Sequence, residues 1–328
     1  MKIYKAGIIG CGNIASKFDE TPGKKPIYTH AGAYFVNPKT ELVSAADSNI
    51  NNLSEFAEKW KVKNIYNDFE TMLEKEDLDI VSVCTPKEFH FDAVKCAAKH
   101  GVKVILCEKP FTGSVSEADK LVKYCRDKGA VLAINYTRRY ASGHQDVKEI
   151  IRNGDLGKIQ AVNCFYTKGL FNNGSHIINL LLFFFGTINK VSLIGRLKKC
   201  PMMKEDYDGD IALRFRSGFT ATLISADARC YSLFEIDIIG TLGRIRITES
   251  GFDITHYRIR NSPIFKGYTE LEPKGISITS GMKDTMINAV DNIIKAYEGN
   301  EPLLCSGLDG LETLKVLENT IKLATLKQ

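Results

Sequence analysis

Gly10-Cys11-Gly12-Asn13-Ile14-Ala15 stands where an apolar run, Tyr4–Gly10, gives way to a helical pattern. A G-x-G-x-x-A turn in that place lets backbone approach a pyrophosphate, with amide N–H groups and a helix dipole facing the anion. Gly10, Gly12, Asn13 and Ile14 are therefore the candidate contacts, and Ala15 permits close packing of helix on strand. A glycine turn alone only changes the direction of the chain. The strand before it and the helix after it make this one a dinucleotide fingerprint.

The surrounding sequence agrees. Over the first 135 residues, runs rich in Val, Ile and Ala alternate with amphipathic stretches, the order of a parallel sheet with crossover helices. The expected strands are Tyr4–Gly10, Glu41–Asp47, Asp79–Thr85, Lys103–Lys109 and Ala130–Thr137. Between them, Asn51–Lys61, Glu88–His100 and Ser116–Lys128 carry apolar residues at helical spacing. Asp47, ending the second strand, is placed to hold the adenosine ribose hydroxyls. It lies 35 positions after Gly12, more than the usual fingerprint, and the loop Thr21-Pro22-Gly23-Lys24-Lys25-Pro26 accounts for the surplus by interrupting a helix that resumes around Tyr28–Val36. No arginine follows Asp47 to pair a 2′-phosphate, which favours NAD over NADP.

After residue 140 the pattern changes. A helix around Gln145–Arg152 leads to the expected strands Lys158–Thr167, Lys190–Lys198, Asp210–Phe215, Phe219–Asp227, Leu233–Gly240 and Arg244–Thr248, with helices at Gly281–Glu298 and Leu308–Leu326. The chain thus reads as an α/β protein of two domains: a Rossmann domain over 1–137, and over 138–328 an α/β domain with an open, mostly antiparallel sheet. Hydrophobic residues at 44% and charged residues at 25% are those of a globular chain. The formal charge of +5 comes without a basic block interleaved with aromatics, so nucleic acid is not an expected partner. Nine cysteines without metal-type spacing read as reduced, buried thiols, and no metal site is expected. The start of the chain runs straight into a strand and the longest apolar run, Ile177–Phe185, is too short to span a bilayer, so a cytoplasmic protein without a membrane partner is expected.

Two more strand ends carry polar residues at the edge where such sheets bind ligands: Thr85-Pro86, with His90 beyond, and Glu108-Lys109-Pro110. An ammonium at Lys109 is suited to polarising a substrate oxygen and exchanging a proton with it. Charge usage alone reads Glu108 and Lys109 as an ion pair at a strand end.

Gly10–Ala15, Asp47, Thr85–His90, Glu108-Lys109-Pro110, Asn135–Tyr140 and Gly174–His176 occur in the order seen in the glucose–fructose oxidoreductase / inositol dehydrogenase / rhizopine catabolism (Gfo/Idh/MocA) family, which the chain resembles over nearly its whole length. The resemblance implies an NAD(P)-dependent dehydrogenase or reductase acting on the carbinol or keto carbon of a sugar, cyclitol or nucleotide-linked sugar, and assembly as a homodimer or homotetramer. It implies cofactor contacts at Gly10, Gly12, Asn13, Ile14, Asp47, Thr85, Pro86, His90 and Glu108, and catalytic roles for Lys109 and His176, with Asn172 as the third catalytic candidate. Many members have aspartate where this chain has Asn172 and Asn179, and an amide orients a hydroxyl without taking its proton. Some sugar-nucleotide dehydrogenases are similar in having asparagine there. Asn135, Arg138, Tyr140, Lys168, Asn172 and His176 are the remaining candidate substrate contacts, with Arg139 and Arg229 as further cations. Two other activities fit the same fold: an NAD-binding regulator without turnover, and an NAD-dependent glycosidase.

Overall fold

The computed structural model describes residues 2–326. They divide into two compact units: residues up to Tyr140 together with Lys283–Leu314, and Ala141–Met282 together with the residues from Lys315 on.

In the first unit, β1 (Tyr4–Ile9), β2 (Thr40–Ala46), β3 (Asn64–Tyr66), β4 (Ile80–Val83), β5 (Val104–Cys107) and β6 (Val131–Ile134) form one sheet in the order β3-β2-β1-β4-β5-β6, every pairing parallel. The order reverses between β1 and β4, so the crevice beyond their carboxyl ends is where this topology binds a dinucleotide. The helices are α1 (His30–Val36), α2 (Ile50–Trp60), α3 (Phe69–Lys75), α4 (His90–Lys99) and α5 (Val115–Asp127). Asn49, Asp68 and Ser114 accept backbone N–H groups at the starts of α2, α3 and α5. The expected strands and helices are all present. The three-residue edge strand β3 and the helix α3 are additions that were too short to announce themselves by periodicity.

The helix that the glycine turn opens is short. Asn13–Lys17 make one widened helical turn, and the chain then loops out to resume at α1. Buried Asp19 fixes this excursion, accepting from Tyr28 N (2.7 Å), Thr29 N (3.3 Å) and Thr29 Oγ1 (2.5 Å). Lys59 adds hydrogen bonds to the carbonyls of Ser16 and Asp19.

In the second unit, α6 (Ser142–Arg152) and α7 (Ser175–Phe185) accompany β7 (Ile159–Tyr166), β8 (Ile188–Lys199), β9 (Tyr207–Phe215), β10 (Thr220–Ser225), β11 (Phe234–Gly240), β12 (Gly243–Thr248), β13 (Asp253–Asn261), β14 (Thr269–Leu271) and β15 (Ile276–Ile278). Their order is β14-β13-β12-β11-β7-β10-β9-β8, with β15 beside β13. All pairings are antiparallel except β7 with β10. Strands β13 to β15 extend the sheet beyond the sequence expectation.

Two helices complete the chain, α8 (Thr285–Tyr297) and α9 (Gly307–Thr325). The first unit ends at Tyr140, and residues 283–314 return to it. The cause is hydrophobic. Met286, Val290, Ile293 and Ile294 of α8 are buried in the same core as Ile8, Ala31, Tyr34, Ile80 and Leu106. Ile134 N donates to Cys305 O, and Arg139 pairs with Asp309 at 2.8 Å. Among the described residues no helix is long and apolar enough to cross a membrane, and all nine cysteines are free thiols, Cys230 being exposed.

Candidate active site

A cleft of about 560 Å³ opens beyond the carboxyl ends of β1, β2 and β4, its walls including Gly10, Gly12, Asp47, Thr85 and Pro86. Five of the sequence-derived cofactor contacts are thus brought to one cavity. Gly10 has φ +89°, and a Cβ there would sit 2.9 Å from the backbone of Cys84 and Thr85, so both conformation and space require glycine. At Gly12 a Cβ would meet nothing within 4 Å, leaving room for a ligand. Asn13 and Ile14 begin the single turn that follows, so amide N–H groups rather than a long helix dipole are what the turn offers an anion.

Asp47 does two jobs. Its Oδ2 accepts the Cys11 N–H at 2.7 Å and its Oδ1 accepts Asn49 N–H at 2.8 Å, which fixes the carboxylate and leaves each oxygen a second lone pair for a ribose hydroxyl. The Cys11 amide is thereby removed from the donors available to a pyrophosphate. Burial pushes the Cys11 thiol up, and the charge on Asp47 adds to this, so the thiol stays neutral and unreactive. Asp68 and Glu70 line the same cleft, which gives its described walls three carboxylates and no Lys or Arg.

Thr85 Oγ1 is buried without a hydrogen-bond partner in the wall of the cleft. A buried hydroxyl left in this state costs free energy, and a polar group of a bound dinucleotide would satisfy it. The open space at Gly12, the oriented Asp47 carboxylate and this hydroxyl make the residues present a fit for NAD.

Glu108 and His90 are both tied into the loops around them. His90 is 1% exposed and bridges two loops, with Nε2 at 2.8 Å from Thr85 O and Nδ1 at 3.0 Å from Pro110 O and 3.2 Å from Phe111 O. It braces the strand ends that carry Thr85 and Lys109. Glu108, 8% exposed, turns inward: Oε1 accepts from His30 Nε2 (2.9 Å) and Asn135 Nδ2 (2.5 Å), and Oε2 from Lys109 N (3.2 Å). With Nε2–H given to Glu108, His30 Nδ1 accepts from Ser82 Oγ at 2.8 Å and Ser82 in turn accepts from Tyr34 OH at 2.7 Å, so every donor in the chain is used. Burial alone would push the Glu108 carboxyl up, but the His30 and Asn135 hydrogen bonds and the positive charge of Lys109 hold it below the usual range.

Lys109 is half-buried and follows this anchored carboxylate. Arg138 is half-buried as well, and burial pushes its guanidinium down to about 10. Asn135 (1% exposed) and Tyr140 (0%) are interior residues over which the 283–314 segment packs: Asn135 also touches Met286, and the Tyr140 carbonyl accepts from Asn288. Arg139 is committed to Asp309, and Arg229 to its near neighbour Asp227.

The second unit gathers its own candidates around one loop. Lys168 has φ +63° at the entry to a widened helical turn, Gly169–Gly174, which carries Asn172 and leads into α7 with His176 as its second residue. His176 is 7% exposed and Asn179, one turn on, is buried. Asp206, which nothing in the sequence marked out, holds this turn: its carboxylate accepts Phe171 N (2.9 Å), Asn172 N (2.9 Å) and Tyr207 N (2.7 Å). Desolvation raises the Asp206 carboxyl above its ordinary value even though those three N–H groups oppose the rise. His30 and Asp206 escaped detection for one reason: their partners lie 78 and 34–35 positions away, and a lone histidine or a turn aspartate carries no local signal.

Comparison with known proteins places the whole chain. Residues 4–136 match the Gfo/Idh/MocA oxidoreductase family, NAD-binding Rossmann fold, and residues 148–327 match that family's C-terminal alpha/beta domain. D-glucoside 3-dehydrogenase of Escherichia coli (strain K12) is 32% identical over 155 residues, 47% of this chain and 41% of that protein. D-apiose dehydrogenase of Paraburkholderia graminis is 25% identical over 349 residues, covering 98% of this chain and 87% of the other. Among solved structures, the WlbA dehydrogenase of Bordetella pertussis, in complex with NADH and UDP-GlcNAcA, shares the fold with a TM-score of 0.79 at 21% identity, covering 99% and 97% of the two chains.

Proposed function

Since the chain belongs to the Gfo/Idh/MocA oxidoreductase family, whose Rossmann domain binds NAD, we propose that it is an NAD-dependent dehydrogenase or reductase of a sugar-type substrate, with free or nucleotide-linked sugars and cyclitols as the class. The observation that carries this reading is the cleft at the β1/β4 switch point, where Gly12, Asp47 and the unpartnered Thr85 hydroxyl converge. Similarity to D-glucoside 3-dehydrogenase and D-apiose dehydrogenase supports the substrate class.

The bound nicotinamide supplies a hydride acceptor or donor for the sugar carbon. Gly12, Asn13 and Ile14 would hold the pyrophosphate, and Asp47 the adenosine ribose. Lys109 is assigned to polarising the carbinol or keto oxygen and exchanging its proton, because the anchored Glu108 beneath it fixes the start of that loop. His176 is assigned as the second proton-exchanging group and Asn172 as a hydrogen-bond partner for a substrate hydroxyl, with Lys168 and Arg138 as cationic contacts. Assembly as a homodimer or homotetramer is supported by the open sheet of the second unit, where Phe165 and Ile194 are 40% and 43% exposed. A cytoplasmic location belongs to the same proposal.

Incubation with NAD and a panel of aldoses, cyclitols and UDP-sugars is expected to give NADH absorbance at 340 nm with at least one of them. Absence of any signal across the panel would count against a dehydrogenase. The three carboxylates in the cleft also predict a cofactor preference, since a 2′-phosphate would face them unpaired. Asp47→Ala should weaken NAD about tenfold, by loss of charge-assisted hydrogen bonds, and narrow the margin over NADP. Equilibrium titration of both nucleotides checks it.

A further inference from the structure

We propose that Asp206 is the positioning residue of the substrate loop: its carboxylate, at the end of the β8–β9 connection, holds the backbone of Phe171 and Asn172 and so sets where Asn172 and His176 present their side chains. This deepens the function proposed above and rests on it for the roles of those two residues.

Four observations point the same way. The Asp206 side chain receives two N–H groups from inside the turn and one from Tyr207 at the start of β9, three acceptor bonds for a carboxylate that is only 8% exposed. Gly169, with φ +84°, packs so closely that a Cβ there would collide with the Asp206 carboxylate, so glycine and acid are fitted to one another. The grip extends along the return: Asp208 Oδ1 accepts Gly169 N at 3.2 Å, and Tyr166 OH both donates to Gly209 O (2.7 Å) and accepts from Gly209 N (3.3 Å). Finally, the Asn172 carbonyl accepts from Ser175 Oγ at 2.8 Å, so the residue Asp206 holds is bonded in turn to the first residue of α7, beside His176.

A turn built this way needs such an anchor. Widened helical turns lack the regular ladder of an α-helix, and their amides must find partners elsewhere when buried. A carboxylate is the strongest acceptor for them. Asp206, bonded to the backbone of Phe171 and Asn172, acts through the turn.

The test uses the full chain with NAD present. Asp206→Ala and Asp206→Asn are compared with wild type by amide hydrogen exchange, by NAD titration and by steady-state kinetics on the best sugar of the panel. Exchange at Phe171 and Asn172 should quicken about tenfold in the alanine variant, and less in the asparagine variant, which keeps one acceptor oxygen. Sugar kcat/KM should fall about tenfold, with partial rescue in Asp206→Asn, while the NAD dissociation constant stays within about twofold. Unchanged exchange at those two amides would overturn the proposal, as would a loss of NAD affinity in step with kcat/KM, which marks general unfolding. If wild type oxidises no sugar, the functional reading fails while amide exchange still decides whether Asp206 holds the turn.

Discussion

Lys109→Met lowers kcat/KM for sugar oxidation by about 10²–10⁴-fold and leaves the NAD dissociation constant within about twofold, if the ammonium is the group that exchanges a proton with the substrate oxygen. Methionine keeps the length and apolar stem of lysine and removes only the charge and the N–H donors. The cleft residues Gly12, Asp47 and Thr85, proposed to hold the dinucleotide, are untouched, which is why binding and turnover should separate. The loop geometry should also survive, because it is fixed by Glu108 Oε2 on the Lys109 backbone N–H and by His90 on the Pro110 and Phe111 carbonyls, none of which involves the Lys109 side chain. Steady-state kinetics with independent NAD titration reads both quantities. Undiminished turnover in the mutant would remove Lys109 from the chemistry.

Glu108→Leu is expected to cost about 3–5 kcal/mol of stability, since it strips a buried carboxylate from His30, Asn135 and the Lys109 amide and leaves their donors without an acceptor. Domains of this kind are stable by only about 5–15 kcal/mol, so denaturant unfolding will show the change clearly. The sign of its pH dependence follows from the lowered carboxyl. A group whose folded value lies below its unfolded value, about 4.3 for Glu, contributes stability in full above that unfolded value and loses it as pH falls through the folded one. The gap between wild type and Glu108→Leu should therefore be constant near neutrality and shrink below about pH 4. A gap that widened on acidification would contradict the ionised, hydrogen-bonded state of Glu108.

The first unit was legible where chemistry is written in consecutive residues. Gly10–Ala15, Asp47, Thr85-Pro86 and Glu108-Lys109-Pro110 all end strands of a parallel sheet, and a strand end is a position that periodicity can locate. What escaped was set by long-range packing. The interruption of the first helix was visible in its prolines, but the buried Asp19 that folds the excursion was not. Residues 283–314 read as a closing helix of the second domain, whereas the apolar face of Met286, Val290 and Ile293 belongs to the first core. That same packing buries Asn135 and Tyr140. Glu108 and His90 are instructive in another way. Polar residues at the ligand-binding edge of a sheet divide into those that face the ligand and those that hold the edge in shape, and only hydrogen-bond partners tell them apart.

The dehydrogenase reading is tested most directly by the fate of the substrate's own hydrogen. With NAD and a C-deuterated substrate drawn from the sugar panel, mass spectrometry of the nucleotide should show NADH one deuterium heavier, formed in proportion to oxidised sugar. Saturable NAD binding with no deuterated NADH from any substrate would contradict the account and leave a binding protein; cleavage of an aryl glycoside without net NADH would contradict it in favour of a hydrolase.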